Sequence, residues 1–227
     1  MNNITKSFRD HYGQAFGKYG ATSRGVDWGD EGELQFRYEK FFSVIALDPG
    51  ERKDTISILD VGCGWGGFCK FLQERVQGGG IDYTGIDIVP EMIQRAREEF
   101  PSATFHQEDL FSFSGKKSYD YVVCNGVLTQ KLSATIPDME EYANRMVLRM
   151  FELCKKGIVF NHMSSKVNYM VSNLYYRNPL EVLSFCLAHL SPRVLLDHSF
   201  VSTNNPERNR LFDYIVYVFK DPKGGGA

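Results

Sequence analysis

From residue 56 onward, short apolar segments alternate with segments of helical character, and this alternation restricts the chain to a small number of folds. Apolar runs of strand length that are separated by helices are typical of βαβ units, in which helices cover both faces of a parallel sheet. The sequence therefore predicts an α/β fold, doubly wound around a mostly parallel sheet, with strands at residues 56–61, 82–88, 104–107, 119–124, 157–161, 194–200 and 213–219.

The last two predicted strands are connected differently from the others. Only a short spacer that contains Asn204, Asn205 and Pro206 separates them. It leaves no room for a crossover helix, so we expect these two strands to pair antiparallel. Helices are predicted at residues 68–76, 90–100, 137–154 and 179–190.

The chain divides into a helical N-terminal cap segment at residues 1–55, an α/β domain at 56–222 and a glycine-rich tail at 223–227. Within the cap segment, residues 33–47 carry apolar side chains at helical spacing. Residues 163–178 form an insertion that is too long for a short connector, and such insertions often carry function.

Composition and charge exclude several classes of protein. Of the 227 residues, 43% are hydrophobic and 24% charged, which is typical of a globular chain. The net charge of −2 argues against a nucleic-acid partner, because such proteins neutralise phosphates with excess Lys and Arg. The apolar runs are too short to span a bilayer, so no membrane partner is expected. The N-terminus has no apolar core typical of a secretory signal.

The 5 cysteines include no Cys-x-x-Cys pair, and no His-x-x-x-His pair or carboxylate cluster indicates a metal site. We therefore expect a reduced, cytoplasmic protein without a metal. The sequence does not distinguish a monomer from a homodimer.

The glycine-rich segment Asp60-x-Gly62-x-Gly64-x-Gly66 lies between the first predicted strand and its helix. Open α/β sheets bind ligands at this place, beyond the carboxyl ends of their strands. By themselves, Gly62, Gly64 and Gly67 also satisfy the G-x-G-x-x-G pattern of nicotinamide and flavin enzymes. An acid at position 60 would repel a pyrophosphate, but it can accept a hydrogen bond from an ammonium group.

Further polar residues follow the next predicted strands. Asp87 ends the second strand and is suited to binding two ribose hydroxyls, although Asp60 and Asp87 are also placed to cap helices. Glu108 and Asp109 follow the third strand, where an acid and a backbone N–H suit an adenine edge or simply close a turn. Asn125 follows the fourth strand.

With these motifs, the region from about residue 56 to 219 resembles the class I S-adenosylmethionine (SAM)-dependent methyltransferases of the small-molecule type. The resemblance implies a seven-stranded sheet with its last strand inserted antiparallel, and SAM as the cofactor, with S-adenosylhomocysteine as the product. It implies that the glycine segment contacts the methionine part, that Asp87 binds the ribose and that Asp109 bonds the adenine amine. The full set of implied cofactor-binding residues is Asp60, Gly62, Cys63, Gly64, Asp87, Ile88, Asp109, Leu110, Asn125 and Gly126.

The N-terminal stretch is similar to the segment that covers the cofactor in small-molecule members of this family. This similarity makes Tyr12 and Arg24 additional cofactor-binding candidates and Trp28 a substrate-binding candidate. Tyr175 and Tyr176, in the insertion, are candidates for the acceptor wall or for anchoring a loop.

Two histidines are candidate catalytic residues. His162 follows the fifth strand and is placed to act either as a base or as a hydrogen-bonded structural residue. His11 lies among aromatic residues that would fold over the site, and its alternative is an ordinary surface position.

The sequence therefore predicts an enzyme that transfers a methyl group from SAM to a small-molecule hydroxyl, carboxylate or amine. Methyl transfer requires no obligatory catalytic residue, so a non-catalytic SAM-binding module that serves a partner remains an alternative, as does a protein methyltransferase. A nicotinamide-dependent oxidoreductase is disfavoured because the chain contains no Tyr-x-x-x-Lys pair.

Overall fold

The computed structural model describes residues 3–46, 55–76, 80–115, 118–199 and 213–221. Two helices, α1 (Asn3–Tyr19) and α2 (Glu31–Ala46), precede the sheet and are joined by a 3-10 turn at Arg24–Val26. The α/β region then comprises β1 (Ile56–Val61), α3 (Gly67–Arg75), β2 (Ile81–Asp87), α4 (Pro90–Glu99), β3 (Thr104–Gln107), β4 (Tyr119–Cys124), a 3-10 turn (Val127–Thr129), α5 (Ile136–Leu153), β5 (Cys154–Ser164), β6 (Tyr176–Arg177), α6 (Pro179–His189), β7 (Val194–Asp197) and β8 (Asp213–Phe219).

These strands form one sheet in the order β3-β2-β1-β4-β5-β8-β7, with β6 paired to β5 outside this path. The strands β1 to β5 pair parallel, whereas β8 lies antiparallel between β5 and β7. The predicted doubly wound sheet and its antiparallel last strand are thus confirmed. The two-residue strand β6 was not predicted.

The sheet separates two hydrophobic cores, and β8 illustrates how its side chains supply both. Tyr214, Val216 and Val218 enter the core that contains α5 and α6, while Ile215 and Tyr217 enter the core that contains α2, α3 and α4. This alternation follows from the period of two of a β-strand. Both faces are therefore buried, as expected for a doubly wound sheet.

The N-terminal helices pack against these cores near the carboxyl ends of the parallel strands. In α1, Phe8 is buried against the α5 side, whereas α2 contributes Leu34, Tyr38 and Phe41 to the other core. The helix predicted at 33–47 is thus observed as α2. Position 47, the stop predicted at 48–50, Phe200, the 204–206 spacer and the 223–227 tail lie outside the described residues.

The predicted insertion at 163–178 is ordered against the segment that follows β4. The backbone N–H groups of Lys131 and Leu132 both donate to the Asn173 carbonyl oxygen, at 2.8 and 2.9 Å. Tyr175 N–H donates to the Thr129 carbonyl at 2.8 Å. These hydrogen bonds hold the insertion at the carboxyl edge of the sheet.

No helix in the described part of the chain is long and apolar enough to cross a membrane. Likewise, the described residues contain no group of three or more His, Cys, Asp or Glu side chains arranged to hold a metal ion.

Candidate cofactor and acceptor site

A cavity of about 410 Å³ lies at the carboxyl ends of the parallel strands, beneath the N-terminal segment. This volume is within the range of about 300–1,000 Å³ that is common for small-molecule sites. Its walls combine the ends of β1, β2 and β4 with residues of α1, α2, α5 and the 163–178 segment. The candidate residues that line it are Tyr12, Trp28, Asp60, Gly62, Cys63, Gly64, Asp87, Ile88, Asp109, Leu110, Asn125 and Gly126.

The turn after β1 brings two loops of this wall together. Gly62 has φ +74°, and its N–H donates to the Ile86 carbonyl at 2.8 Å. A Cβ at this position would lie 2.2 Å from Val127 Cγ2, which is far inside van der Waals contact. Position 62 therefore requires glycine both for its left-handed backbone and for the approach of the loop that follows β4.

Asp87 joins the end of β2 to the glycine turn. Its carboxylate accepts the Gly64 N–H on Oδ2 and the Val89 N–H on Oδ1, both at 2.9 Å. Burial raises the pKa of Asp87, and these backbone hydrogen bonds oppose that increase. The arrangement fixes a carboxylate on the cavity wall while leaving lone pairs that can accept hydrogen bonds from a diol.

Asp60 is 3% exposed, and its Oδ2 accepts the Tyr83 hydroxyl at 2.5 Å. Burial raises the pKa of Asp60 to about 7; the Tyr83 hydrogen bond lowers it and the nearby Asp87 carboxylate raises it. The side chain therefore titrates near neutrality. A cationic ligand group beside it would favour the ionised form.

Asp109 connects the cavity wall to α1. Its Oδ2 accepts the Thr5 hydroxyl at 3.0 Å and its Oδ1 accepts the Phe111 N–H at 2.8 Å. Thr5 itself is 1% exposed. The hydrogen bond from Thr5 therefore places α1 over this part of the wall, which also includes Ile88 and Leu110.

A buried polar chain supports the loop after β4. Gly126 N–H donates to Asn161 Oδ1 at 2.8 Å, and Asn161 Nδ2 donates to Asp213 Oδ2 at 2.9 Å. Arg37 completes the chain with donors to both Asp213 oxygens, Nε to Oδ2 at 2.9 Å and a terminal nitrogen to Oδ1 at 2.8 Å. Its guanidinium also lies 4.2 Å from the Trp28 ring centroid. The loop is thus held by residues from α2, β5 and β8.

A second polar chain joins the N-terminal segment to the opposite wall. Asp27 Oδ2 accepts Gln130 Nε2 at 2.7 Å and lies 3.0 Å from His11 Nε2. Gln130 Oε1 in turn accepts Asn173 Nδ2 at 3.2 Å. Asp27 and Gln130 both line the cavity. The chain therefore connects α1, the turn before α2, the loop after β4 and the insertion.

Five candidate residues are not among those that line this cavity: His11, Arg24, His162, Tyr175 and Tyr176. Of these, His11 contacts two wall residues, because its Nε2 lies 3.0 Å from Asp27 Oδ2 and its ring centroid lies 5.2 Å from that of Tyr12. Tyr175 is 2% exposed in the α5-side core, and the Tyr176 hydroxyl accepts the Val171 N–H. The structure therefore does not place these five side chains on the cavity wall.

His162 is fully buried, and its Nδ1 lies 3.1 Å from the Leu128 carbonyl oxygen. Burial lowers the pKa of His162 to about 3, with a contribution from the Arg177 charge. This position favours the structural interpretation of His162, because a base must contact the group from which it takes a proton.

Four residues of these polar chains were not predicted as site residues from the sequence: Asp27, Arg37, Gln130 and Asn161. One visible signal was Arg37, which follows Leu34 by three residues and precedes Phe41 by four on the apolar face of the predicted helix. A cation on such a face requires a buried partner. That partner, Asp213, lies 176 residues away, and a single sequence does not indicate such a distant pair.

A doubly wound sheet, with a glycine turn after its first strand, an acid that ends its second and a cavity across the strand ends, defines a class of nucleoside-binding α/β proteins. Within this class, the chain belongs to a methyltransferase family, because the family model described as a methyltransferase domain matches residues 52–189, more than half of the chain. The protein is therefore a SAM-dependent methyltransferase, as the sequence analysis predicted.

Individual relatives agree with this assignment. The chain is 28% identical over 149 residues to a Mycobacterium tuberculosis protein named as a methyltransferase, covering 65% of this chain and 88% of that protein. It is 30% identical over 103 residues to trans-aconitate 2-methyltransferase of Escherichia coli, covering 45% of this chain and only 40% of the relative. The fold is similar to that of SAM-bound magnesium protoporphyrin IX methyltransferase from Synechocystis, with TM-score 0.66, 16% identity and coverage of 97% and 99% of the two chains.

The residues of the cavity fit the cofactor of this family. The Asn125 Oδ1 atom is buried and accepts no hydrogen bond from the described residues, so it offers an acceptor to a ligand ammonium group. Asp60 and Asp87 add carboxylates on the same wall, and Ile88 and Leu110 add apolar surface. This combination matches a molecule that carries an ammonium group, a sugar diol and a flat base.

Proposed function

We propose that this methyltransferase transfers the methyl group of SAM to a small molecule that is held inside the cavity. The observation that carries the proposal is the continuity of the cavity, which extends from the residues that we assign to SAM to Trp28, Gln130 and Leu174. The Thr5–Asp109 and Gln130–Asp27 hydrogen bonds hold the N-terminal segment over it. A covered cavity of this size favours a small acceptor over a folded protein.

We assign the cofactor contacts to residues that line the cavity. Asp87 would bind the ribose diol, Asp60 and Asn125 the ammonium group, and Asp109 the adenine amine. Ile88 and Leu110 would flank the base, and the backbone from Gly62 to Gly64, including Cys63, would contact the methionine part together with Gly126. Tyr12 and Trp28 would cover the sulfonium end, where aromatic faces attract cations.

When bound, SAM supplies a methyl group that is already activated on a sulfonium sulfur. The protein therefore contributes mainly alignment of the reactants and exclusion of water. Alignment alone contributes about 7–11 kcal/mol in favourable cases. The N-terminal segment serves both roles here because it covers the cavity and contributes part of its wall.

A titration of S-adenosylhomocysteine by calorimetry tests the cofactor assignment. We expect Asp87→Ala to weaken binding more than tenfold, because hydrogen bonds to charged groups contribute about 1.5–3 kcal/mol. Asp82→Ala, at the other end of the same strand, is the matched control and should bind as the wild type does. Asp87→Asn retains one acceptor oxygen and should give an intermediate affinity.

Transfer of a labelled methyl group to metabolite fractions, measured beside transfer to whole-cell protein, tests the acceptor class. Label in the small-molecule fraction supports the proposal. Label confined to protein would identify a protein methyltransferase, and binding of S-adenosylhomocysteine without any transfer would identify a non-catalytic module. Binding of NADH in place of S-adenosylhomocysteine would overturn the cofactor assignment.

A further inference from the structure

The cavity wall is strongly acidic. Among the described residues that line it, Arg37 is the only one with a basic side chain. Low-dielectric surroundings strengthen the effect of unbalanced charges on a ligand. The acidic residues of the wall are Asp27, Glu33, Asp60, Asp87, Glu108 and Asp109.

Arg37 is already neutralised within the protein. Its guanidinium makes two hydrogen bonds to the Asp213 carboxylate and a third, at 2.8 Å, to the Glu33 carbonyl oxygen. Arg37 and Asp213 are 4% and 0% exposed. A ligand carboxylate would have to compete with this buried pair, so the wall offers an anionic acceptor no available counter-charge.

Asp27 is the carboxylate that the N-terminal segment presents to the cavity. It adopts a left-handed backbone conformation, with φ 61° and ψ 26°, and ends the 3-10 turn through its N–H to the Arg24 carbonyl. Gln130 Nε2 donates to its Oδ2, and His11 Nε2 lies 3.0 Å from the same oxygen. They orient the carboxylate and leave Oδ1 to accept a hydrogen bond from a ligand.

Tyr12 lies on the same cavity wall as Asp27 and Asp87. Burial raises the pKa of its hydroxyl, and the charges of Asp27 and Asp87 raise it further. Carboxylates on one wall favour a cationic ligand over an anionic one. The nearby aromatic and apolar residues on the wall, Trp28, Met163 and Leu174, would surround an apolar body attached to that cation.

We propose that the methyl acceptor is a small basic amine and that Asp27 binds its ammonium group beside the cofactor. This inference rests on the proposed function and narrows it to one of the three acceptor classes. It also separates this chain from its Escherichia coli relative, whose named acceptor, trans-aconitate, is a carboxylate.

An ammonium group has no lone pair and must lose a proton before it reacts. We assign that proton to the Asp27 carboxylate, whose side chain is 37% exposed, and from there to water. The nitrogen lone pair then forms the new bond to carbon as the bond from sulfur to the methyl group breaks. Sulfur keeps that electron pair, and the products are the N-methylated ammonium and S-adenosylhomocysteine.

Binding of matched probes to the protein saturated with S-adenosylhomocysteine tests the proposal independently of turnover. The probes are arylalkylamines and alkylamines, each paired with the carboxylic acid of the same skeleton. We expect amines to bind and their paired acids to bind at least tenfold more weakly. Tighter binding of the acids, or no binding of either class, would overturn the proposal.

Asp27→Asn tests the residue itself. Asparagine tolerates the left-handed backbone conformation and has nearly the same shape, so the fold should be retained. We expect amine binding to weaken about fivefold, the upper end for a partly exposed charge pair, because the Asp27 side chain is 37% exposed. The control Asp10→Asn removes the same charge from an exposed site on α1 and should leave amine binding unchanged.

The affinity for S-adenosylhomocysteine separates the two proposals. We expect Asp27→Asn to change it by less than about threefold, because Asp27 is assigned to the acceptor. If the wild type fails to bind S-adenosylhomocysteine, the proposed function fails. If it binds S-adenosylhomocysteine and Asp27→Asn binds the amines as the wild type does, only the assignment of the acceptor fails.

Discussion

At the scale of single residues, Asp60 gives the clearest expectation for how ligand affinity depends on pH. Its pKa of about 7 in the ligand-free protein means that it is largely protonated at pH 6 and ionised at pH 8. If the ionised form accepts the ligand ammonium group, affinity must rise with pH. We expect S-adenosylhomocysteine to bind about tenfold more weakly at pH 6 than at pH 8, measured by calorimetry.

Asp60→Asn is the control, because it cannot ionise and should remove most of this dependence. An unchanged slope in that variant would assign the titration to another group. In the ligand-free protein, the contribution of Asp60 to folding stability changes with pH in the opposite direction. The folded state holds the Asp60 proton more tightly than the unfolded state does, so Asp60's contribution to stability falls as pH rises from about 4 to about 7.

The sequence predicts the position of some residues of the site but not of others. Asp60 and Asp87 lie at the carboxyl ends of β1 and β2, so the sheet geometry alone places them at the ligand edge. The role of Asn161 could not be predicted in this way, because it lies within β5 and its side chain depends on Asp213 of the neighbouring strand. Such a role depends on strand order, which the local sequence does not specify.

At the scale of elements, α1 acts as a cover whose attachment is measurable. Thr5 is the buried link between this helix and the predicted adenine region through Asp109. We expect Thr5→Val to weaken S-adenosylhomocysteine binding by about two- to tenfold, since a net hydrogen bond contributes about 0.5–1.5 kcal/mol. Stopped-flow measurements should show the loss mainly as faster dissociation.

The variant Ser7→Ala provides the comparison, because it removes a hydroxyl from the same helix at a position that is only partly buried. It should leave both rates close to those of the wild type. Equal effects of the two substitutions would mean that α1 responds to any loss of a hydroxyl, and that the Thr5–Asp109 contact has no special part in retaining the ligand.

The elements themselves were well predicted where the pattern was strong. The bounds of β1, β3, β4 and β8 agree with the predicted strands. Of these, β1, β4 and β8 are compact runs rich in apolar and aromatic residues. The prediction shortened β5 at both ends, because the strand begins with the exposed Lys155 and Lys156 after Cys154 and continues to Ser164. His162 therefore lies within β5 and does not follow it. It missed β6 because two residues carry no periodicity, and their pairing depends on the end of β5.

At the scale of the whole molecule, the Arg37–Asp213 pair joins the second helix to the last strand. Breaking one side of a buried pair typically costs about 3–5 kcal/mol, because the remaining charge is left uncompensated. We expect Arg37→Met to lower the free energy of unfolding by roughly this amount, measured by urea denaturation.

Two further variants test the cause of that loss. The double variant Arg37→Met with Asp213→Asn leaves no unpaired charge at this buried position. The hydrogen bond to Asn161 can be kept, so part of the stability should return. Lys40→Met breaks the more exposed pair with Asp197 and should cost less. A double variant as unstable as Arg37→Met alone would show that packing, rather than the unpaired carboxylate, dominates.

The same pair has a consequence for synthesis of the protein. The ribosome produces Arg37 long before its partner, which is separated from it by 176 positions. Until β8 emerges and inserts beside β5, the helix that carries Arg37 has no buried carboxylate to receive it. The second helix is therefore fixed over the cavity only late in translation. A nascent chain should become able to retain its nucleoside ligand only after that strand has been made.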